Sequence, residues 1–215
     1  GGACYFQMRQ DDVDRVITHP LTMIGSDGLP HDRHPHPRLW GAFPRVLGQR
    51  LTYPVDAQIV SGGSRVLVAE YNGNRVTERD LKGDVKWEHN CGGNPFQVQR
   101  LPNGNTFIAM QSRLIEVDRD RKEVWSYQRP NGDIIRARKL PTGEVCFITN
   151  QGANAVYTRM DAQTQKVNKS FPATAVQVLF GNMEILGNGN IIVPHYQQQR
   201  VVEYVLEEGV EQDAV

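Results

Sequence analysis

The sequence predicts an all-β fold, a β-propeller of about four blades, complete or incomplete, preceded by a short α/β segment. Three observations carry that prediction. A Gly-bearing turn recurs at Ser61-Gly62-Gly63-Ser64, Leu101-Pro102-Asn103-Gly104, Leu140-Pro141-Thr142-Gly143 and Leu186-Gly187-Asn188-Gly189. Its last glycines are 41, 39 and 46 residues apart, which is the period of a four-stranded blade. An apolar run of strand length follows each turn: Val66-Leu67-Val68-Ala69, Phe107-Ile108-Ala109-Met110, Val145-Cys146-Phe147-Ile148 and Ile191-Ile192-Val193-Pro194. Such runs do not alternate, so they suit strands packed on both faces inside a stack of blades. Late in the first three units Asp80, Asp118 and Asp161 stand before a turn, and Trp87 and Trp125 follow the first two by seven residues.

In chain order, residues 1–48 lie outside the repeat. Gln10-Asp11-Asp12-Val13-Asp14-Arg15-Val16-Ile17 opens with acidic residues suited to a helix N-terminus and sets Val13, Val16 and Ile17 on one face, and His19-Pro20 stops it. Thr22-Met23-Ile24-Gly25 reads as a short strand ending in Ser26-Asp27-Gly28. A carboxylate thus stands at the C-terminal tip of a strand, the position of catalytic groups in a (β/α)-barrel. The repeats occupy 49–215, in units of about 53–94, 95–132, 133–174 and 175–215. The second is the clearest. Phe96-Gln97-Val98-Gln99 leads to the turn, then come Asn105 to Met110, Arg113 to Asp118, and Glu123-Val124-Trp125-Ser126-Tyr127, each of strand length between turn residues. The two tryptophans are expected in the seams between blades, each indole N–H reaching a carbonyl. The third unit has Phe171 near that place. The fourth has Val205 where the aspartate would be and no aromatic after it, so its blade reads as clipped.

Composition narrows the function classes. With 24 basic and 24 acidic residues interspersed there is no electrostatic footprint for phosphate backbone or anionic lipid, so neither nucleic acid nor membrane is expected as a partner. No apolar stretch approaches the roughly 20 residues of a membrane span, and no signal peptide is visible, so the compartment stays unassigned. Cys4, Cys91 and Cys146 are odd in number and widely separated, and Cys146 reads as a buried reduced thiol. The chain starts at Gly1 with its first Met at position 8, so completeness is not assumed.

If the blades ring a central depression, polar groups at the turns are the candidate ligand-binding residues. These are Tyr71, Asn74 and Arg75 with Asn72 in unit one, Asn150 with Gln151 and Asn154 in unit three, and His195, Tyr196 and Arg200 with Gln198 in unit four. A polar set of this kind suits reversible binding of a small molecule, peptide or sugar better than acid–base catalysis. Unfilled blade edges would also allow a homo-oligomer. In the first segment His31, His34 and His36 lie within six residues beside Asp27 and are the weak candidates for a metal site, with Pro30, Pro35 and Pro37 holding that loop extended against convergence.

Two resemblances follow. With Asp80, Gly83 and Trp87 at the end of a blade and Asn74-Arg75 before an outer strand, residues 53–215 resemble PQQ-like and NHL-like propeller repeats, which implies architecture and no particular cofactor. The wording Ala3-Cys4-Tyr5-Phe6-Gln7-Met8, His19-Pro20, Met23-Ile24-Gly25-Ser26-Asp27-Gly28-Leu29-Pro30-His31-Asp32, His34-Pro35-His36-Pro37-Arg38-Leu39-Trp40-Gly41 and Phe43-Pro44-Arg45-Val46-Leu47-Gly48 is similar to one stretch of the zinc-dependent N-acyl-D-amino-acid deacylases, or D-aminoacylases, of the amidohydrolase superfamily. That resemblance implies the region of the last strand of a TIM barrel. It also implies that Asp27 shuttles a proton near the metal, and that zinc is the cofactor if the site is whole. The His-x-His of the first barrel strand does not precede this stretch, and the text changes abruptly after Gly48.

Two readings result. In the first, the chain is a propeller binding or interaction module carrying a D-aminoacylase-like fragment that does not act alone. In the second, it belongs to a zinc-dependent amidohydrolase that hydrolyses the amide of N-acyl-D-amino acids. A quinoprotein dehydrogenase would need a cofactor-gripping funnel and calcium ligands that the sequence does not place.

Overall fold

A computed structural model describes residues 51, 53–151, 154–173, 183–186, 189–195, 199–205 and 210–213. Among the described residues sixteen strands form four antiparallel sheets of four, each ordered as a meander along the chain. Sheet one holds β1 (Pro54–Val60), β2 (Arg65–Glu70), β3 (Arg75–Asp80) and β4 (Val85–Asn90). Sheet two holds β5 (Pro95–Arg100), β6 (Thr106–Met110), β7 (Arg113–Val117) and β8 (Glu123–Gln128). Sheet three holds β9 (Ile134–Lys139), β10 (Glu144–Gln151), β11 (Asn154–Asp161) and β12 (Val167–Ala173). Sheet four holds β13 (Glu184–Ile185), β14 (Ile191–His195), β15 (Arg200–Val205) and β16 (Val210–Asp213). The arrangement is a four-blade β-propeller. The fourth unit, which reads as clipped, still completes its sheet, because backbone pairing of Val205 with Val210 and Val202 with Asp213 needs no terminal aromatic. Among the described residues its first strand, β13, is two residues long.

Glycine sets the inner hairpins. Gly104, Gly143 and Gly189 donate their N–H groups to Leu101, Leu140 and Leu186 at 2.9, 3.0 and 2.9 Å, and each takes a φ near +90° (87, 89 and 88°). L-residues with a Cβ rarely adopt that backbone, so the glycine is what the repeat keeps. In the first turn Gly63 takes the same backbone, φ 92°, at the end of a 3-10 turn over Ser61–Gly63.

The apolar runs that follow the turns are the packing layer. Along β6, Ile108 and Met110 join Leu67, Ala69, Val76 and Trp87 in the seam between sheets one and two. Phe107 and Ala109 point the other way, toward Ala137, Val145 and Phe147 of sheet three. β10 repeats the device, with Val145 and Phe147 facing sheet two while Cys146 and Ile148 meet Met183, Ile191, Val193 and Tyr204 of sheet four. Period-two alternation with both faces buried is why these runs look continuous in sequence. β14 departs from it, since Ile191 and Val193 are buried whereas Ile192 and Pro194 are half-buried. Among the described residues the apolar clusters bridge sheets one to two, two to three and three to four, and none bridges four to one.

The tryptophans and aspartates behave as their spacing predicts. Trp87 Nε1 donates to the Arg119 carbonyl at 2.9 Å and Trp125 Nε1 to the Ala162 carbonyl at 2.6 Å, each crossing to the next blade. Asp80 Oδ1 accepts the Lys82 and Asp84 amides, Asp118 Oδ1 accepts the Lys122 amide, and Asp161 Oδ1 accepts the Thr164 amide, so each carboxylate closes its outer turn. Cys91 and Cys146 are buried free thiols.

Candidate functional site

The innermost strands β1, β5, β9 and β13 all contribute to one cavity of about 620 Å³ at the end of the molecule where they run into the glycine turns. Its polar lining is Asp56, Gln58, Gln99, Arg138, Lys139, Arg159 and Glu184, with Cys146 and Tyr157 on the wall toward sheet four. Volume and lining fall within the range of small-molecule sites.

These side chains occupy register positions. Asp56, Gln97 and Arg136 lie seven residues before the last glycine of their turn, and Gln58, Gln99, Arg138 and Glu184 lie five before it. In the first two blades they are acceptors that bind the exposed backbone edge of the next inner strand. Asp56 Oδ2 accepts the Val98 amide at 2.9 Å and Gln58 Oε1 the Arg100 amide at 2.6 Å. One blade on, Gln97 Oε1 accepts the Ala137 amide at 2.6 Å and Gln99 Oε1 the Lys139 amide at 3.0 Å, while Gln99 Nε2 donates to the Lys139 carbonyl at 3.0 Å. An inner strand has no ladder partner on the axis side, and these latches supply one.

In the third blade both positions are arginine. A guanidinium has no acceptor, so the latch inverts. Arg138 Nε donates to the Met183 carbonyl at 3.3 Å and its Nη1 lies 3.9 Å from Asp56 Oδ2 across the cavity. Arg136 is almost fully buried and Nη1 donates to its neighbour Ile135 at 2.6 Å. Burial brings its pKa down to about 10, which leaves it cationic at neutral pH. Burial raises Asp56 above its ordinary value, and the Val98 amide and Arg138 work against that rise.

This wall is poor in reactive groups. Burial pushes the Cys146 thiol up to about 11, so it stays protonated at neutral pH, and the Tyr157 hydroxyl beside it is raised as well. Asp56 is committed to backbone amides of Ala57 and Val98. Among the described residues there is no group of three or more His, Cys, Asp or Glu placed to hold a metal ion.

The turn residues singled out in sequence are gathered at the other end of the strands. Tyr71, Asn74 and Arg75 cap the β2–β3 hairpin, where the Tyr71 amide donates to Tyr53 and Asn74 takes a φ of 51°. Arg75 is engaged by Glu70 at 3.1 Å and Glu88 at 3.3 Å. Glu70, wholly buried, also accepts Thr77 Oγ1 at 2.7 Å and Arg79 Nη2 at 2.9 Å. Asn150 lies one residue before the end of β10, paired with Ala155, its amide on the Asp133 carbonyl at 2.8 Å. His195 is a core residue, 2% exposed, its Nε2 3.0 Å from the Tyr204 hydroxyl, and Arg200 sits opposite it, exposed. None of these lines the cavity. Tyr196, Asp27, His31, His34 and His36 lie outside the described residues. The cavity residues were missed because polar side chains on an inner strand look like solvated strand positions; their common distance from the turn glycine was the available signal.

No protein-family model matches the chain. Among curated proteins it is similar to the D-aminoacylase of Alcaligenes xylosoxydans xylosoxydans, 68% identical over 47 residues, which is 22% of this chain and 10% of that protein. It is likewise 60% identical over 60 residues to the N-acyl-D-glutamate deacylase of the same organism, 28% of this chain and 12% of that one. The chain thus spans about a tenth of the length of the curated relatives it matches. Among solved structures it is similar to the hydrazine synthase of Kuenenia stuttgartiensis, 13% identical with a TM-score of 0.58 over 74% of this chain and 53% of that one. A catalytically inactive virginiamycin B lyase from Staphylococcus aureus, solved with quinupristin, is 11% identical with a TM-score of 0.57 over 75% of this chain and 55% of that one. At such identities the likeness is one of fold. The chain is a four-blade β-propeller that also carries a short stretch closely similar to D-aminoacylases.

Proposed function

We propose that this chain is a propeller binding module whose ligand enters the cavity at the glycine-turn end, and that its D-aminoacylase-like segment does not hydrolyse amides by itself. The observation that carries the reading is the convergence of four inner strands on one polar cavity whose side chains are fixed by latches to the neighbouring strand. Preorganised polar groups in a half-open cavity of small-molecule size favour reversible recognition of a small molecule, and the raised Cys146 thiol withholds nucleophilic chemistry.

A second reading is favoured by the 68% identity over 47 residues: a zinc-dependent N-acyl-D-amino-acid deacylase of which this chain forms part. In that reading Asp27 shuttles the proton, and His31, His34 and His36 stand beside it as weak zinc candidates. The strand and helix expected from the sequence of residues 1–48 would be a small part of an eight-strand barrel, and a working zinc centre needs three protein ligands in fixed geometry. Assembly with further copies is the route by which blade edges would be covered, and its readout is the solution mass.

Amide chemical-shift mapping tests the binding reading. Titration with maltose, dialanine and glutarate is expected to move the amides of Val98, Arg100, Ala137 and Lys139 for at least one compound. Shifts confined to Asn74, Arg75 and Asn150 would place the site at the opposite face and overturn it.

A further inference from the structure

Each sheet presents one cross-strand row to the sheet that follows it, because residues directly opposite in an antiparallel ladder share a face. In sheet one the row is Gln58, Leu67 and Glu78, and in sheet two it is Gln99, Phe107 and Glu116. The matching rows are Arg138, Cys146 and Arg159 in sheet three and Glu184, Ile192 and Glu203 in sheet four. Leu67, Phe107 and Cys146 each pack against the next sheet.

What a row receives is the residue four places before the next turn glycine, and that residue follows the charge of the row. Sheet one offers Glu78 and receives Arg100: Gln58 Oε1 accepts the Arg100 amide at 2.6 Å, and Glu78 Oε2 accepts Arg100 Nη2 at 2.5 Å. Sheet two offers Glu116 and receives Lys139, with the Lys139 amide on Gln99 Oε1 at 3.0 Å and Lys139 Nζ donating to Glu116 Oε2. Sheet three offers Arg159, which Glu144 of its own sheet already holds, and receives Ile185.

Sheet four offers an acid again. Glu203 Oε1 accepts Asn190 Nδ2 at 2.7 Å, as Glu116 Oε1 accepts Asn105 Nδ2 at 2.6 Å, but Glu203 Oε2 has no partner among the described residues. Glu184 stands in the latch position of Gln58 and Gln99, is exposed, and has none either among those residues. Ile192 is half-buried and Val201 is 44% exposed, whereas Leu67, Phe107, Val76 and Leu114 in the matching places are buried. The face therefore combines two acceptors with apolar surface. β1 does not complement it, since four residues before Gly63 stands Ile59 and no base.

Going beyond the cavity reading and independent of it, we infer that this face of sheet four docks an extended strand of another protein that reads apolar-x-Arg or apolar-x-Lys. The motif is that of Val98-Gln99-Arg100 and Ala137-Arg138-Lys139, the two strands that seat on an acid within the chain. The arriving cation pairs with Glu203 Oε2, and Glu184 accepts the amide of the same residue. A charge-assisted bond joined to a backbone latch fixes both the register and the direction of such a strand.

The test is amide chemical-shift titration of the full chain with the peptide Pro95-Phe96-Gln97-Val98-Gln99-Arg100-Leu101 and with its Arg100→Ile and Arg100→Glu forms. The unaltered peptide is expected to move the Ile192, Val201 and Glu203 amides to one-to-one saturation, and the Arg100→Ile form to bind about tenfold more weakly. In the protein, Glu203→Lys should reverse the order, weakening the unaltered peptide and favouring the Arg100→Glu form, which a variant that merely misfolds does not do. Glu203 lies outside the cavity lining, so failure here leaves the cavity titration standing. Equal binding of the three peptides, or no movement of the three amides, overturns the inference. So does a dimer in sedimentation that Ile59→Glu dissolves, because β1 of a second copy then covers the face.

Discussion

Individual side chains carry most of the specificity between blades. Trp125 gives both area and a hydrogen bond to the Ala162 carbonyl, and Lys139 lies over its ring at 5.1 Å. Trp125→Phe keeps much of the area and loses the bond, so urea unfolding should show a loss of about 1 kcal/mol. Gly143→Ala tests the turn. Nothing lies within 4 Å of the added Cβ, so the expected loss of about 1–2 kcal/mol is backbone strain at φ +89° alone. Glu78 shows how burial and pairing compete. Desolvation pushes its pKa up, but Arg65, Arg119 and Arg100 hold it below the ordinary value of 4.5. A carboxylate depressed in the folded state contributes stability that is present above 4.5 and is lost as pH falls through the folded pKa. Glu116 and Glu144 are lowered too, so stability should be level near neutrality and decline below about pH 4.5, and Glu78→Gln should flatten that decline in acid denaturation curves. Asp56, raised by burial, works in the opposite direction and softens the fall.

At the scale of the strand, the inner edges were the least legible part of the sequence. Runs such as Phe107 to Met110 declare themselves because both faces are buried, and the turn glycines because their φ demands them. Gln97 and Gln99 declare nothing locally. Their role exists only when the next blade brings the Ala137 and Lys139 amides within reach across 40 residues of chain. Gln99→Leu removes an acceptor and a donor from one seam and leaves the Lys139 amide unpaired, so thermal or urea unfolding should register a loss of about 1–3 kcal/mol. The same argument explains why turn residues were the natural candidates. Arg75 and Asn150 are polar, and Asn74 lies in a tight turn, yet which end of the strands encloses a cavity depends on how inner strands converge, which no single repeat encodes. His195 shows the other side of this, a polar residue that is buried and packs against Tyr204.

Across the whole molecule, periodic glycines and apolar runs were enough to read four blades, and the D-aminoacylase likeness was readable from the wording of its residues alone. What the repeat did not announce was its own asymmetry. The first two blades latch with Asp56, Gln58, Gln97 and Gln99, whereas the third turns to Arg136 and Arg138, and that break gives one wall of the cavity its positive charge. Among the described residues no helix is long and apolar enough to cross a membrane. Binding at the propeller and hydrolysis at the D-aminoacylase-like segment make opposite demands on the first 48 residues. Release of free D-amino acid from N-acetyl-D-methionine by the purified 215-residue chain, with and without added Zn²⁺, separates them most directly. The account predicts no release under either condition, with Asp27→Ala indistinguishable from the parent; zinc-dependent release that Asp27→Ala abolishes would contradict it.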